Sequence, residues 1–380
     1  MTYLESKPRY EILDGLRGVA AIIVVLYHLV ECYPSLSAIM FAHGFLAVDL
    51  FFALSGFVIG YAYDDRWNKM NLKTFFKRRI TRLHPMVIFG AVVGVCFFYY
   101  SGGIELFGNV DNTLWWMLLL QALLMILMIP LPASMDIRGW GELTSINGPV
   151  WTLMFEYVAN ILYALFLRHL GKVALSIFVA ITAIFTIDCC LRLNIFGLLV
   201  SDWNSYSVIG GFVFDPEHVY IGYTRLLYPF LVGLLLSRLG KNISINRGFT
   251  ITSLMVIVMF AVPYLGGDNR LVDGIYQLIC ILFIFPLILS IGAGSELKGQ
   301  KSIRLCTFLG EISYPLYITH YPLIYMHTSW AKRYMDSPVG THVLVAITTL
   351  IMSLAIAWGA LKLYDEPVRA WLKEHWFKKS

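Results

Sequence analysis

An all-α polytopic membrane protein, with about ten transmembrane helices and one re-entrant or interfacial segment, is the fold class this sequence predicts. Composition is the first observation behind it. The 380 residues are 58% hydrophobic and 14% charged, with mean hydropathy +0.69, against about 45–50% apolar and about 25% charged in soluble domains. So little charge does not cover a soluble surface, which excludes a soluble enzyme, a disordered chain and a fibre. The second observation is that apolar runs of spanning length recur from one end of the chain to the other. The third is that most of the 29 Lys and Arg stand in short stretches between those runs. That placement reads as membrane topology, so the net charge of +5 does not point to nucleic acid. The whole of 1–380 reads as one integral-membrane domain with no appended soluble domain.

The runs are 14–33, 44–63, 85–101, 113–133, 149–167, 173–191, 223–239, 249–265, 272–293, 304–329 and 339–362. If every run crossed, the basic loop 168–172 and those after it would fall outside, against the positive-inside rule. Segment 113–133 has Trp115 and Trp116 at one end and Pro130 and Pro132 at the other, which suits a piece that dips in and returns or lies at the interface. With that piece not crossing, ten spans remain and both termini are cytoplasmic. Only Arg138, Arg192, Arg225, Arg270, Lys332 and Arg333 then stay outside. The six cysteines show no CxxC or other metal spacing and no disulfide framework, and no cleavable signal peptide is evident.

Ionisable groups inside spans cost about 2.5–3.5 kcal/mol each at mid-helix, so they are functional candidates by default. The first span, LDGLRGVAAIIVVLYHLVECY, holds Arg17 and His28 on one helix face, separated by about 16 Å of rise. A guanidinium suits phosphate or carboxylate and an imidazole suits base chemistry. The alternative is a topology-setting arginine and an incidental interior histidine. In the second span Asp49 enters at a depth where it could meet His28 and fix its tautomer. Ser55 reads foremost as packing with Gly56 and Gly60, with a catalytic role as the alternative.

The loop KMNLKTFFKRRITRLHP carries Arg78, Arg79 and Arg82, which on a helix would cluster as forks for a polyphosphate or anionic lipid heads. Trp151 and Glu156 open the span after 148, where Glu156 needs a partner; a buried pair with an arginine would supply one. Tyr317 and His320 share a face of the span 304–329, and Pro315 and Pro322 bend it. Glu366 and Pro367 read as a helix breaker after the last span. The outer segments 102–148 and 192–222 hold Trp140, Trp203 and Tyr206, aromatic faces that suit sugars or, alternatively, form interface belts.

Taken together, these segments resemble the type-3 membrane acyltransferase family. The likeness rests on LDGLRGVAAIIVVLYH, FFALSGF at 51–57, RRITRLHP at 78–85, WTLMFE at 151–156, ISYPLYITHYPL at 312–323 and DEPVR near the end. It covers nearly the whole chain, in order. The resemblance implies a ten-helix enzyme of the bacterial inner membrane. Such an enzyme takes an acyl group, often acetyl, from cytoplasmic acyl-CoA to a hydroxyl of a sugar, glycolipid, polysaccharide precursor or small natural product. Arg17 and His28 match its essential pair, and Arg78, Arg79 and Arg82 match its cytoplasmic arginine motif. Ser55, Trp151, Glu156, Tyr317 and His320 match further motif positions, with Thr152 where many members have serine. No metal is implied.

On this reading the arginines hold the CoA phosphates while His28, helped by Asp49 or Glu156, removes the proton of the acceptor hydroxyl. A covalent acyl-His28 relay is the other mechanistic option. Two other classes compete. A proton-coupled transporter or lipid or polysaccharide exporter would use His28, Asp49 and Glu156 as a relay, but no paired repeat of broken helices is present. A non-catalytic scaffold would leave the intramembrane charges without a role.

Overall fold

The computed structural model describes Lys7, residues 9–267 and residues 269–377, so Lys378 and Lys379 of the basic tail lie outside the described residues. Its helices are α1 Glu11–Glu31, α2 Pro34–Ser37, α3 Ala47–Tyr63, α4 Leu72–Phe97, α5 Trp115–Ile126, α6 Trp151–Leu165, α7 Lys172–Leu191 and α8 Pro216–Leu239. They continue as α9 Gly248–Ala261, α10 Arg270–Ile279, α11 Phe285–Gly294, α12 Gln300–Thr319, α13 Tyr321–Arg333, α14 Val339–Ala360 and α15 Glu366–Trp376. Among the described residues there is no strand; a lone bridge joins Glu142 and Val213.

Eight helical stretches are long and apolar enough to cross a membrane: 11–31, 44–63, 72–97, 148–169, 172–191, 216–239, 270–294 and 339–376. The other two of the ten expected spans differ. α9 has 14 residues, about 21 Å of helix, and the run 304–329 is divided at His320 between α12 and α13. Segment 113–133 forms the 12-residue α5, too short to span about 30 Å of hydrocarbon. It ends in a turn at Met128, φ +57°, ahead of the two prolines. Exposed Leu119, Leu123, Leu344, Ile347 and Ile351 on α5 and α14 form apolar faces that lipid, and not water, would cover.

Two stretches depart from the sequence reading. RRITRLHP, read as loop, is helical. The Asn71 side chain caps α4 by accepting from the Thr74 N–H at 2.9 Å, so the helix starts at Leu72 and runs through Pro85. The break expected at Glu366 and Pro367 is absent, because a π-helical turn over Leu361–Asp365 carries α14 into α15, where proline in the first turn loses no hydrogen bond.

α1 is the central helix and packs on α3, α9, α11, α12, α13 and α14. α3 lies as close against α8: a Cβ at Gly56 would stand 2.0 Å from the Phe230 carbonyl oxygen, and one at Gly233 2.0 Å from that of Ala53. The close helix approach expected around Gly56 is therefore present. The first turns of α1 and α4 share one end of the bundle, the arginine end. Glu31 and segment 133–150 stand together at the opposite end, where Ser329 also bonds Gly102.

Candidate active site

At the arginine end, α1 presents Arg17, which donates to the Asp14 carboxylate at 3.1 Å. Arg82 of α4 is exposed, yet the charges acting on it are those of Arg17, Arg79 and Asp14. It therefore stands near the arginine end of α1. Arg79, one turn earlier, points into the bundle, is buried, and donates to Glu156 of α6 at 2.7 Å. Ser55 of α3 donates to the same Glu156 oxygen, also at 2.7 Å. Of the two readings open for Glu156, the buried pair with an arginine is the one the contacts bear out, and it joins α3, α4 and α6. Arg78 turns away, its guanidinium 5.5 Å from the Phe377 ring centroid. The three arginines thus do three different things.

Eleven residues along α1 from Arg17, His28 faces the other end. Its Nδ1 is 2.8 Å from a carboxylate oxygen of Glu31, the i+3 neighbour on the same helix face. Among the described residues no group is hydrogen-bonded to its Nε2. The His28 ring lies 5.6 Å from that of His320 and 4.8 Å, edge to face, from that of Tyr321. His320 sits where α12 gives way to α13. Its Nδ1 lies 3.1 and 3.0 Å from the carbonyls of Leu316 and Tyr317. A carbonyl oxygen only accepts, so Nδ1 carries the proton, and in the neutral ring the buried Nε2 is an acceptor without a partner among the described residues.

Tyr317 is turned to α6, its hydroxyl 2.9 Å from that of Thr152, which donates to the Pro149 carbonyl. The threonine therefore holds the place of the more frequent serine with its hydroxyl in use. Trp151 beside it packs edge to face on Phe155 and lies 5.5 Å beneath the Arg225 guanidinium.

Asp49 does not orient His28. Its carboxylate is buried and paired with Arg225 of α8 at 2.8 Å, and Arg225 also donates to the Phe45 carbonyl at 2.6 Å. Arg225, assigned to the outside by the charge count, is likewise buried within the bundle. A carboxylate next to a full guanidinium is satisfied before any imidazole reaches it. Nor does Glu156 reach His28, because it is held at Arg79.

Sequence reasoning missed several groups at the far end. Glu142, in the segment before α6, is buried and accepts a short hydrogen bond from Tyr325, whose hydroxyl also receives the Gly148 N–H. Burial pushes the Glu142 carboxyl up to about 8. Arg138 lies 3.5 Å from the Tyr325 ring centroid and bonds Ser101 and the Ser145 carbonyl. Tyr321 links this cluster to His28, with its ring 4.6 Å from that of Tyr325. The i, i+3 spacing of His28 and Glu31 is a signal that could have been read. Nothing local marks Glu142 and Tyr325, which stand 183 residues apart.

The chemistry available is an imidazole held at one nitrogen by a carboxylate and open at the other, on a helix whose opposite end offers guanidinium groups. Among the described residues no group of three or more His, Cys, Asp or Glu is placed to hold a metal.

Comparison with known proteins converges on one family. The model of an acyltransferase domain matches residues 10–361. The chain is 24% identical to the O-acetyltransferase OatA of Staphylococcus aureus over 393 aligned positions, 95% of this chain and 58% of that protein. It is 33% identical over 170 residues to protein 2 in the picA locus of Rhizobium radiobacter, 42% of this chain and 84% of that protein. The chain thus spans little more than half the length of the OatA proteins it matches, and no solved structure matches it. The domain match takes in the whole of α1 to α14, with Arg17, Arg82 and the His28 cluster inside it, and the chain belongs to the type-3 acyltransferase family.

Proposed function

We propose that this chain is a membrane-embedded O-acyltransferase of the bacterial inner membrane, with both termini cytoplasmic. The donor is cytoplasmic acyl-CoA, acetyl-CoA foremost, and no metal takes part. The acceptor is a hydroxyl of a sugar, glycolipid, polysaccharide precursor or small natural product. One observation carries the reading: α1 bears, at one end, Arg17 facing the exposed Arg82 and, at the other, His28 with Glu31 on Nδ1. The relatives named O-acetyltransferase point the same way.

In this reading Arg17 and Arg82 hold the CoA phosphates, and the thin pantetheine arm runs between helices towards His28, about 16 Å along α1. Glu31 orients the imidazole and stabilises its charged form, the part first expected of Asp49. His28 Nε2 takes the proton of the acceptor hydroxyl, the oxygen forms a bond to the thioester carbonyl carbon, and the carbon–sulfur bond breaks. The CoA thiolate leaves and recovers a proton. His320, with its orphan Nε2, and Tyr321 line the space beside the ring where that hydroxyl would stand. Arg79, Glu156, Ser55, Asp49 and Arg225 are positioning residues that hold α3, α4, α6 and α8 together. The exporter alternative loses support here, because two of its three relay groups, Asp49 and Glu156, are neutralised by arginines.

The test is acceptor-dependent release of CoA from acetyl-CoA by the protein in nanodiscs. His28→Ala lowers the rate by about 10²–10⁴-fold while the melting temperature stays within a few degrees of wild type. Transfer at the wild-type rate by that variant would overturn the assignment of His28.

A further inference from the structure

Past residue 361, where the family match stops, the chain still folds back onto the arginine end. α15, EPVRAWLKEHW, is too charged to lie in hydrocarbon. Its last turn is tied to the start of α4. Lys77 Nζ donates to the Trp376 carbonyl at 3.5 Å and lies 5.7 Å from the Trp376 ring centroid. The Phe377 ring, itself buried, faces the Arg78 guanidinium at 5.5 Å.

This docking gathers like charges. The cations acting on Lys373 are Arg369, Arg9 and Arg78. Arg82, Arg369 and Lys373 all act on one carboxylate, Asp365. Asp365 is buried and already paired with Arg369, and Arg9 and Arg17 have Glu311 and Asp14. Among the described residues Arg82 and Lys373 enter no ion pair, and both are exposed. Asp14, Asp365 and Glu366 are already paired with Arg17, Arg369 and Lys362, so the cations drawn from α4 and α15 repel one another unless a further anion shares them. A group carrying two negative charges fits that excess better than a single carboxylate does.

We propose that Lys373 and Arg82, with Arg369 held in place by Asp365, form a subsite for a phosphate monoester, the 3′-phosphate at the nucleotide end of acyl-CoA. The inference rests on the donor reading above and extends it to a helix outside the family match. An anionic lipid headgroup presents similar phosphate chemistry, so the experiment separates the two sources.

Binding of acetyl-CoA and of its 3′-dephospho analogue is measured by calorimetry on the full chain in nanodiscs, once in neutral phosphatidylcholine and once with added phosphatidylglycerol. In the neutral lipid the wild type binds acetyl-CoA about tenfold more tightly than the dephospho form. Lys373→Gln, an exposed position whose change leaves the melting temperature in place, removes that preference and leaves dephospho binding as it was. Equal wild-type affinity for the two ligands overturns the subsite and leaves the donor reading standing. A Lys373→Gln effect seen only with phosphatidylglycerol assigns the cations to lipid and overturns it too. No acetyl-CoA binding by the wild type in either lipid overturns both.

Discussion

A buried carboxyl keeps its proton longer than one in water, and at the residue scale Glu142 is where this has consequences. Burial raises it to about 8, opposed by the Tyr325 hydrogen bond and by Arg138 and reinforced by Asp136 and Glu31. Its folded value lies above its unfolded one, so the native state binds the extra proton between the two. The stabilisation is complete below about 4.5 and is lost as pH rises through about 8. The melting temperature of the wild type should therefore fall between pH 6 and pH 9, and that of Glu142→Gln should fall less, because an amide has no proton to lose. Parallel curves for the two proteins would show that Glu142 is ionised throughout. The same residue marks the limit of reading a site from sequence. Arg17, His28 and His320 announce themselves as costly groups in apolar runs, and Arg82 as part of a dense basic segment. Glu142 stands in a polar stretch where a glutamate costs nothing, and only the fold buries it against Tyr325.

Pairs of elements are held by contacts that no local pattern encodes, and the α3–α8 interface is the main case. The helices approach until Gly56 and Gly233 meet the facing backbones, and Asp49 and Arg225 neutralise each other within that seam. Removing one partner leaves a buried charge without compensation, at a cost of about 3–5 kcal/mol. Asp49→Ala should lower the melting temperature sharply, whereas Asp49→Ala with Arg225→Met should recover part of the loss, since the Phe45 carbonyl stays unpaired. A single variant as stable as wild type would mean that water reaches the seam. Sequence patterning located most of these helices to within a few residues, because apolar length is a local property. It placed Asp49 near His28 because both are polar groups at similar depth. The nearer guanidinium comes from 176 residues away and outcompetes the imidazole. It likewise took the arginine segment for loop, since charge density was visible and the Asn71 cap was not given its weight.

At the scale of the molecule, the proposed reaction needs two ends that never exchange places: one where Arg17, Arg82 and α15 meet the donor, and one where His28, Tyr321 and Glu142 meet the acceptor. The proposed orientation puts the first at the cytoplasm, in line with the positive-inside rule, and it is testable without any substrate. Lys298 and Asp202 are both exposed, in segments that the ten-span count puts on opposite sides. Of the native cysteines only Cys96 is exposed, so Lys298→Cys and Asp202→Cys are each introduced with Cys96→Ser. A membrane-impermeant maleimide should label Asp202→Cys in cells whose inner membrane is intact, and Lys298→Cys only after that membrane is opened. The parity argument is what makes the outcome informative. Between these positions the ten-span topology has three crossings, by α8, by the 14-residue α9, and by the stretch from α10 to α11. An odd number of crossings puts the two cysteines on opposite sides, and an even number puts them on the same side. Labelling of both in intact cells would therefore mean that α9, about 21 Å long, does not cross. The basic loop after α11 would then face outward, and the donor end would have to be assigned afresh.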